Sequence, residues 1–221
     1  MCPLLPTRKP LLCYVTDRRS LAGAPELALE LQLEKIKQAA KAGVDWIQIR
    51  EKDLSGRELA QLTKDAMVLA AGCGTVVLVN DRLDVACAAD AGGVHLGEQS
   101  IPADQARRLL SQCCRDGNFI VGVSAHSIEG AMLAEQTGAD YLIFGPVYAT
   151  PSKASFGRPQ GVQRLQEVCQ QLQIPVLAIG GITLENAGEC FAAGAQGIAA
   201  IRLFQDAEDL ETVVSELRRL S

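Results

Sequence analysis

The sequence predicts a single (β/α)8 barrel, a closed parallel sheet surrounded by helices. Short apolar segments alternate eight times with longer segments whose apolar residues recur at helical spacing. Most of the short segments lack strict polar–apolar alternation, as expected for strands that are covered on both faces. No change of composition marks a linker, and 221 residues suit one barrel domain. We therefore expect an N-terminal extension over residues 1–11 and one barrel domain over residues 12–221.

Each strand is expected at a segment rich in Val, Ile or Leu. The predicted strands are Leu12–Thr16, Val44–Arg50, Thr75–Asn80, Gly93–Leu96, Phe119–Ser124, Tyr141–Gly145, Pro175–Ile179 and Gly197–Ile201. The predicted helices are Leu27–Ala42, Gly56–Ala71, one starting near Leu83, Pro102–Gln112, Ile128–Thr137, Gln163–Leu172, Leu184–Ala193 and Leu210–Leu220. Several helices are followed by a glycine suited to the left-handed turn that ends a helix, at Gly43, Gly138 and Gly194.

An open doubly wound sheet is the alternative fold. That fold usually carries a glycine-rich fingerprint directly after its first strand. Here the first strand is followed by Asp17-Arg18-Arg19, which contains no glycine. The barrel is therefore favoured.

Composition and charge exclude several classes of protein. The net charge of −5 argues against a broad cationic face for nucleic acid or anionic lipid. No apolar run is long enough to predict a membrane span or a signal peptide. The eight cysteines lack paired metal-ligand spacing and are interpreted as reduced thiols. We expect a cytoplasmic protein, with a homo-oligomer left open.

Candidate functional residues follow the strands, because barrels of this class carry their sites at the carboxyl ends of the strands. Strand alternation directs Gln48 and Arg50 the same way, with Lys52 just above them. Two fixed cations and an amide suit a phosphate or diphosphate. A solvated charge cluster is the alternative interpretation, which the strand-end position makes less favoured.

Polar residues also follow the third, fourth and fifth strands. Asp81 could hold Mg²⁺ together with substrate oxygens, or it could cap the helix that starts near Leu83. The two histidines, His95 and His126, each follow a strand and lack metal-ligand spacing. A structural role is the commoner one for a single histidine.

The last three strand ends indicate a phosphorylated ligand. The long segment 145–161 has the hydroxyls, lysine and flanking glycines of a mobile loop over a charged ligand. Gly180 and Gly181 precede a helix, so backbone N–H groups can approach a phosphate there. Arg202 follows the eighth strand, and phosphate sites after strands seven and eight recur in this fold.

Ordered motifs along the chain resemble one family. They are Thr16-Asp17, QIREKD at 48–53, VNDR at 79–82, GGVHLGE at 92–98, GVSAHS at 122–127, ADYLIFGPVYATPSK at 139–153 and PVLAIGGIT at 175–183. Together they resemble the thiamine-phosphate synthase/TenI family. The resemblance implies a TIM barrel that joins hydroxymethylpyrimidine diphosphate to thiazole phosphate, with release of diphosphate.

The resemblance also implies roles for individual residues. The pyrimidine diphosphate would be held by Gln48, Arg50, Lys52, Asn80, Ser124 and Lys153. The thiazole phosphate would be held by Thr150, Ser152, Gly180, Gly181, Ile201 and Arg202. Arg50, Lys52 and Lys153 would assist departure of diphosphate, and Asp81 would bind Mg²⁺.

The chain departs from the synthase pattern at a few positions. Ser100 stands where synthases usually have a second metal-binding aspartate, and Arg202 where they usually have serine. The stretch SKASFGRPQG at 152–161 resembles TenI-type proteins, whose characterised branch aromatises a carboxythiazole phosphate. In such a tautomerase, His126 would be the general base. The synthase is favoured because its diphosphate-binding residues are kept, with the tautomerase second and a non-catalytic thiamine-phosphate sensor third.

Overall fold

Eight parallel strands close into a barrel in sequential order, which confirms the predicted fold class. The computed structural model describes residues 10–21, 27–112, 119–150 and 159–221. The strands are β1 Leu11–Val15, β2 Trp46–Ile49, β3 Val76–Asn80, β4 Gly93–Leu96, β5 Ile120–Ala125, β6 Tyr141–Phe144, β7 Val176–Ile179 and β8 Gly197–Ala200. The helices are α1 Ala28–Lys41, α2 Gly56–Ala70, α3 Leu83–Ala89, α4 Ala103–Gln112, α5 Ile128–Gln136, α6 Gly161–Gln171, α7 Leu184–Ala192, α8 Arg202–Gln205 and α9 Leu210–Arg219.

The predicted boundaries differ from the observed ones at the ends of elements. The second strand was expected from Val44 but begins at Trp46, because the Val44 N–H bonds back to the end of α1. The expected glycine turns are present, with φ of 87° at Gly43, 93° at Gly138 and 96° at Gly194. The four-residue helix α8 was not predicted from the sequence.

The barrel interior is a separate apolar core from the one between strands and helices. It is formed by Leu11, Cys13, Val15, Trp46, Leu78, Ile120, Tyr141, Ile143, Leu177 and Ala199. The Trp46 and Tyr141 rings pack with their centroids 4.5 Å apart. Only glycine fits at Gly122, since a Cβ there would lie 2.1 Å from the Tyr141 ring. The interior is therefore filled by side chains below the level of the strand ends.

The amino-terminal end of the barrel is closed by a buried ion pair. Arg218 of α9 donates to the Asp45 carboxylate at 2.7 Å, and the same carboxylate oxygen accepts from the Leu12 backbone N–H at 2.7 Å. Both side chains are about nine-tenths buried. The last helix is thereby joined to the first two strands at the end opposite the predicted site.

The cysteines within the described ranges are free thiols. They are Cys13, Cys73, Cys87, Cys169 and Cys190. No helix in the part of the chain that the structure describes is long and apolar enough to cross a membrane.

Candidate active site

A cavity of about 1320 Å³ opens at the carboxyl ends of the strands. Every predicted site residue within the described ranges contributes to its wall. These residues are Gln48, Arg50, Lys52, Asn80, Asp81, Ser100, Ser124, His126, Thr150, Gly180, Gly181, Ile201 and Arg202. Ser152 and Lys153 lie outside the described residues. The sequence and the family resemblance therefore identified much of the polar wall of this cavity, which also contains Asp17, Ser20, Asp84, Glu98, Gln99 and Thr183.

An ordered relay of side-chain amides runs along the β2–β3 side of the cavity. Gln48 Nε2 donates to Asn80 Oδ1 at 2.9 Å, and Asn80 Nδ2 donates to Asp81 Oδ2 at 3.1 Å. A carboxylate only accepts, so it fixes which end of the Asn80 amide faces it. This in turn fixes the orientation of the Gln48 amide. Gln48 Oε1 is left as a buried acceptor without a partner among the described residues.

Asp81 is held at the cavity wall by residues of the loop that follows β4. Its backbone has a φ of 62°, a left-handed conformation that Asp and Asn tolerate. Oδ1 accepts from the Gly97 N–H at 3.0 Å and contacts the Ser100 hydroxyl. Burial raises the pKa of Asp81, whereas the hydrogen bonds from Ser100 and Gly97 and the nearby charge of Lys52 lower it, and the pKa lies below the usual value. The carboxylate is therefore held ionised.

The alternative role of Asp81 as a helix cap is wrong. The cap position of α3 is Arg82, and its side chain forms no capping hydrogen bond. The Asp81 carboxylate instead points to the loop after β4, where it meets Gly97 and Ser100. This contact brings together the two positions that the sequence linked to a metal.

The two predicted cations sit on a rigid strand end. The Arg50 N–H donates to the buried Thr16 hydroxyl at 2.9 Å, which ties β2's end to β1's end. The intervening Glu51 is buried and accepts from the Arg18 backbone N–H at 3.1 Å and from its guanidinium at 2.9 Å. Arg50 and Lys52 line the cavity, whereas Glu51 does not.

The glycine pair after β7 is required by a close approach of two loops. Gly180 and Gly181 have φ of 98° and 65°. A Cβ at Gly180 would lie 2.5 Å from the Pro146 Cβ, and one at Gly181 would lie 2.6 Å from the Ala149 carbonyl oxygen. Helix α7 follows directly, with Thr183 at its cap. Its N-terminus and the glycine turn form a surface suited to phosphate.

A polar network that the sequence did not reveal supports helix α8, which follows β8 and carries Arg202. Gln205 is buried, and its Oε1 accepts from the Tyr14 hydroxyl at 2.9 Å. Its Nε2 donates to the Asp17 carbonyl at 2.9 Å and to the Ser20 hydroxyl at 2.7 Å. Gln32 of α1 donates to the same Tyr14 hydroxyl at 2.8 Å. The helix that carries Arg202 is thereby fixed to the loop after β1.

The two histidines have different positions. His95 lies within β4, not after a strand as expected, and is buried between Tyr141 and Ser124. Burial lowers the pKa of His95 to about 3, so its ring is neutral. His126 follows β5 at the cavity wall, and its Nδ1 contacts the Gly145 carbonyl oxygen.

The cavity also has an apolar side that sequence reasoning missed. It is lined by Leu83, Cys87, Ile101 and Leu109 on the α3 and α4 side, and by Val15, Ile143, Ile179 and Leu203 elsewhere. Helical periodicity cannot separate such residues from ordinary core residues, because both are apolar at the same spacing. A mixed wall of this kind suits an organic ligand with charged groups at its ends.

Known proteins match the chain over nearly its whole length. The family model described as "Thiamine monophosphate synthase" matches residues 12–204. A Geobacter sulfurreducens protein with the provisional name of thiamine-phosphate synthase is 43% identical over 190 residues, covering 86% of this chain and 84% of the relative. The thiamine-phosphate synthase of Chlorobium luteolum is 38% identical over 208 residues, covering 94% and 91%.

A solved structure agrees with these matches. Thiamine phosphate pyrophosphorylase from Pyrococcus furiosus superposes with a TM-score of 0.81 at 35% identity, covering 96% of both chains. The sequence motifs, the barrel and the cavity at its carboxyl end fit the same assignment. The chain belongs to the thiamine monophosphate synthase family.

Proposed function

We propose that this protein is a thiamine-phosphate synthase, an enzyme that joins hydroxymethylpyrimidine diphosphate to thiazole phosphate. One observation carries the proposal: a single cavity has cations at the ends of β2 and a glycine turn with Arg202 at the ends of β7 and β8. Two anionic ligands can therefore bind on different arcs of one rim. The apolar part of the same cavity wall suits two heteroaromatic rings.

The proposed reaction breaks the bond between the pyrimidine methylene carbon and diphosphate. Diphosphate leaves with the bonding electron pair, and the thiazole nitrogen donates its pair to the resulting methylene cation. Arg50 and Lys52 stabilise the charge that accumulates on the leaving group. Gln48 and Asn80, fixed by their relay, orient the pyrimidine. No protein nucleophile is needed.

We propose Mg²⁺ as the cofactor, held by Asp81 and Ser100. The structure allows a test of fit, because the Asp81 carboxylate and the Ser100 hydroxyl are in contact at the cavity wall. Among the described residues no group of three or more His, Cys, Asp or Glu could hold a metal. Mg²⁺ is usually bound by one or two carboxylates with waters and substrate phosphates, so the Asp81 carboxylate fits it, whereas the Ser100 hydroxyl is a poorer ligand than a carboxylate at that position. When bound, the ion would supply charge neutralisation of the diphosphate.

The proposal is tested by supplying the two purified half-substrates, with and without Mg²⁺, and measuring diphosphate and thiamine phosphate. Metal-dependent product is expected. Arg50→Ala should lower kcat/KM by about 10²–10³-fold, as for loss of one preorganised donor at a developing charge. Arg108→Ala is the matched control, since Arg108 is 77% exposed and lies on α4. No product from folded protein would overturn the proposal.

A thiazole tautomerase is the second candidate, and one observation favours it. His126 lines the cavity, and its Nδ1 contacts the Gly145 carbonyl oxygen, which can only accept. Nδ1 therefore carries the proton in a neutral ring, and Nε2 is the basic nitrogen. Aromatisation of a carboxythiazole phosphate requires such a base. If this candidate is right, His126→Ala abolishes proton exchange on that substrate and retains its binding.

We also propose that the enzyme acts in the cytoplasm on small phosphorylated molecules, and not on nucleic acid or membranes. The free thiols and the net charge of −5 support this. A homo-oligomer remains compatible with the proposal, and sedimentation of the purified protein would measure its mass.

A further inference from the structure

Three side chains form a hydrogen-bonded line from the barrel interior to the cavity. The Tyr141 hydroxyl lies 3.0 Å from His95 Nδ1, and His95 Nε2 lies 2.8 Å from the Ser124 hydroxyl. Tyr141 and His95 are buried, and His95 and Ser124 both contribute to the wall of the cavity. The line connects β6, β4 and β5, so it spans adjacent strands of the barrel.

The surroundings determine how the protons are arranged along this line. Among the described residues, the Tyr141 hydroxyl has no hydrogen-bond partner other than His95. If His95 Nδ1 carried the proton, it would donate to this hydroxyl, and the tyrosine proton would be buried without an acceptor. An unpaired buried donor is costly. The tyrosine must therefore donate to Nδ1, which places the imidazole proton on Nε2.

The direction of the second hydrogen bond follows from the first. His95 Nε2–H donates to the Ser124 hydroxyl oxygen at 2.8 Å. The serine proton cannot point back at this N–H, so it is directed away from His95, on the side where Ser124 meets the cavity. Ser124 is thereby converted from a freely rotating hydroxyl into a donor of fixed direction.

We propose that Tyr141 and His95 are positioning residues that fix Ser124 as a hydrogen-bond donor to the substrate. The inference rests on the proposed function for the identity of that substrate. Arg50 and Lys52 line the same cavity and attract its anionic part. With the pyrimidine diphosphate as that substrate, the acceptor is one of its nitrogen or oxygen atoms. The arrangement is built before the ligand binds, which lowers the cost of binding it.

Local packing keeps the line in place. The Tyr141 ring is confined between Trp46, at a centroid distance of 4.5 Å, and the Cβ-free backbone of Gly122. The His95 ring lies 5.5 Å from the Tyr141 ring, centroid to centroid. Burial lowers the pKa of His95 to about 3, so the neutral ring assumed here is the state above that pH.

The arrangement of protons can be read directly by ¹⁵N NMR of imidazole-labelled protein. The chain has only two histidines, and His126→Gln assigns the second signal. We expect His95 to show a protonated Nε2 and an unprotonated Nδ1, unchanged between pH 5 and pH 8. A protonated Nδ1 would overturn the proposal. This experiment needs no turnover, so its result is independent of whether the chain proves to be a synthase.

The effect on the substrate is tested by a double-mutant cycle. Ser124→Ala and Tyr141→Phe should each lower kcat/KM for the pyrimidine diphosphate, Ser124→Ala by about 3–10-fold, as for one neutral hydrogen bond. The variant with both changes should be no worse than Ser124→Ala, because Tyr141 acts through Ser124. Effects that multiply would overturn the proposal.

A matched control separates positioning from loss of stability. Tyr14→Phe removes another buried tyrosine hydroxyl, which bonds Gln205 and Gln32. It should lower the melting temperature without coupling to Ser124→Ala. His95→Gln, which keeps a donor toward Ser124, should retain more activity than His95→Leu; equal losses would contradict the proposed direction of the bond. If Tyr141→Phe does not fold, the NMR result and the two His95 variants decide the question.

Discussion

Asp81→Asn should reverse the amide relay beside the cavity. In the native chain, the Gly97 N–H donates to Asp81 Oδ1 at 3.0 Å. The side-chain oxygen of the new Asn would keep this hydrogen bond, so the NH₂ group of the new Asn would face Asn80. Asn80 presents its own NH₂ group to that position, at 3.1 Å from the carboxylate oxygen. Two donors cannot pair, so the Asn80 amide rotates and presents its oxygen instead. Asn tolerates the left-handed backbone at this position, and the fold is retained.

The reversal continues to the ligand. In the native chain, Gln48 Nε2 donates to Asn80 Oδ1 at 2.9 Å. In the variant, the rotated Asn80 amide presents its NH₂ group to Gln48 instead, so the Gln48 amide must rotate as well. The buried acceptor that Gln48 offers in the native chain becomes a donor. A ligand N–H that met an acceptor now meets a donor, which costs about 1–3 kcal/mol. Affinity should fall by about 5–150-fold.

The assay uses the unphosphorylated pyrimidine alcohol in EDTA, so that loss of a metal ligand or of diphosphate contacts cannot contribute. Calorimetry measures its Kd for the native chain, for Asp81→Asn and for Ser100→Ala. Ser100→Ala removes a hydroxyl that contacts Asp81 and leaves the carboxylate and the relay intact. Its affinity should stay within about twofold of native. Unchanged binding by Asp81→Asn would refute the relay.

Three further outcomes are expected. Ser100→Asp places a second carboxylate against Asp81 and should tighten Mg²⁺ binding measured by calorimetry; an unchanged Kd would show that Ser100 is not beside the ion. Because the folded pKa of His95 is about 3, only the unfolded chain takes up this proton below about pH 6.5. The free energy of unfolding should thus decrease by up to about 1.4 kcal/mol for each unit by which the pH is lowered between about 6.5 and 3. Urea titrations of His95→Gln should lack this contribution to the slope, and a slope identical to that of the native chain would contradict the lowered pKa of His95. Asp45→Ala removes the carboxylate that neutralises the buried Arg218, which keeps its contacts with the Pro10 and Gly43 carbonyls, and should cost about 3–5 kcal/mol in thermal unfolding with unchanged KM; a loss below about 1 kcal/mol would contradict the assigned role.

The barrel could be predicted because its sequence signals are local and repeated. Each strand–helix unit carries its own apolar periods, and glycines such as Gly138 mark the same turn in several units. Part of the polar wall followed from one rule, since the carboxyl end of every strand reaches the same rim. That rule placed Gln48 and Arg50 at the cavity without knowledge of any contact, whereas Ser124 was named through the family resemblance.

The partners of these residues could not be predicted, because they depend on strand stagger and on packing between distant segments. Tyr14 and Gln205 are 191 residues apart, and His95 and Tyr141 are 46 residues apart. An apolar-looking strand gives no sign that its tyrosine hydroxyl meets a histidine. Asp81 had two roles that the sequence left open, and the cap position at Arg82 with the contacts to Gly97 and Ser100 excludes the role of helix cap.

The charge of the β2 end shows why a local sequence can mislead. Arg50, Glu51, Lys52 and Asp53 sum to zero, which suggests a self-neutralised surface cluster. Arg18 instead pairs with Glu51 at 2.9 Å and with Asp53 at 2.5 Å, and this hydrogen bond lowers the pKa of Asp53 to about 2.

Both carboxylates are therefore committed to a residue from the neighbouring loop. Among the described residues, no ion pair engages Arg50 or Lys52, and both side chains line the cavity. A sequence with no net charge thus presents two cations to the ligand. The two cations at the end of β2 stay available because Arg18 pairs with the carboxylates beside them, and an anionic substrate need not displace Glu51 or Asp53 when it binds.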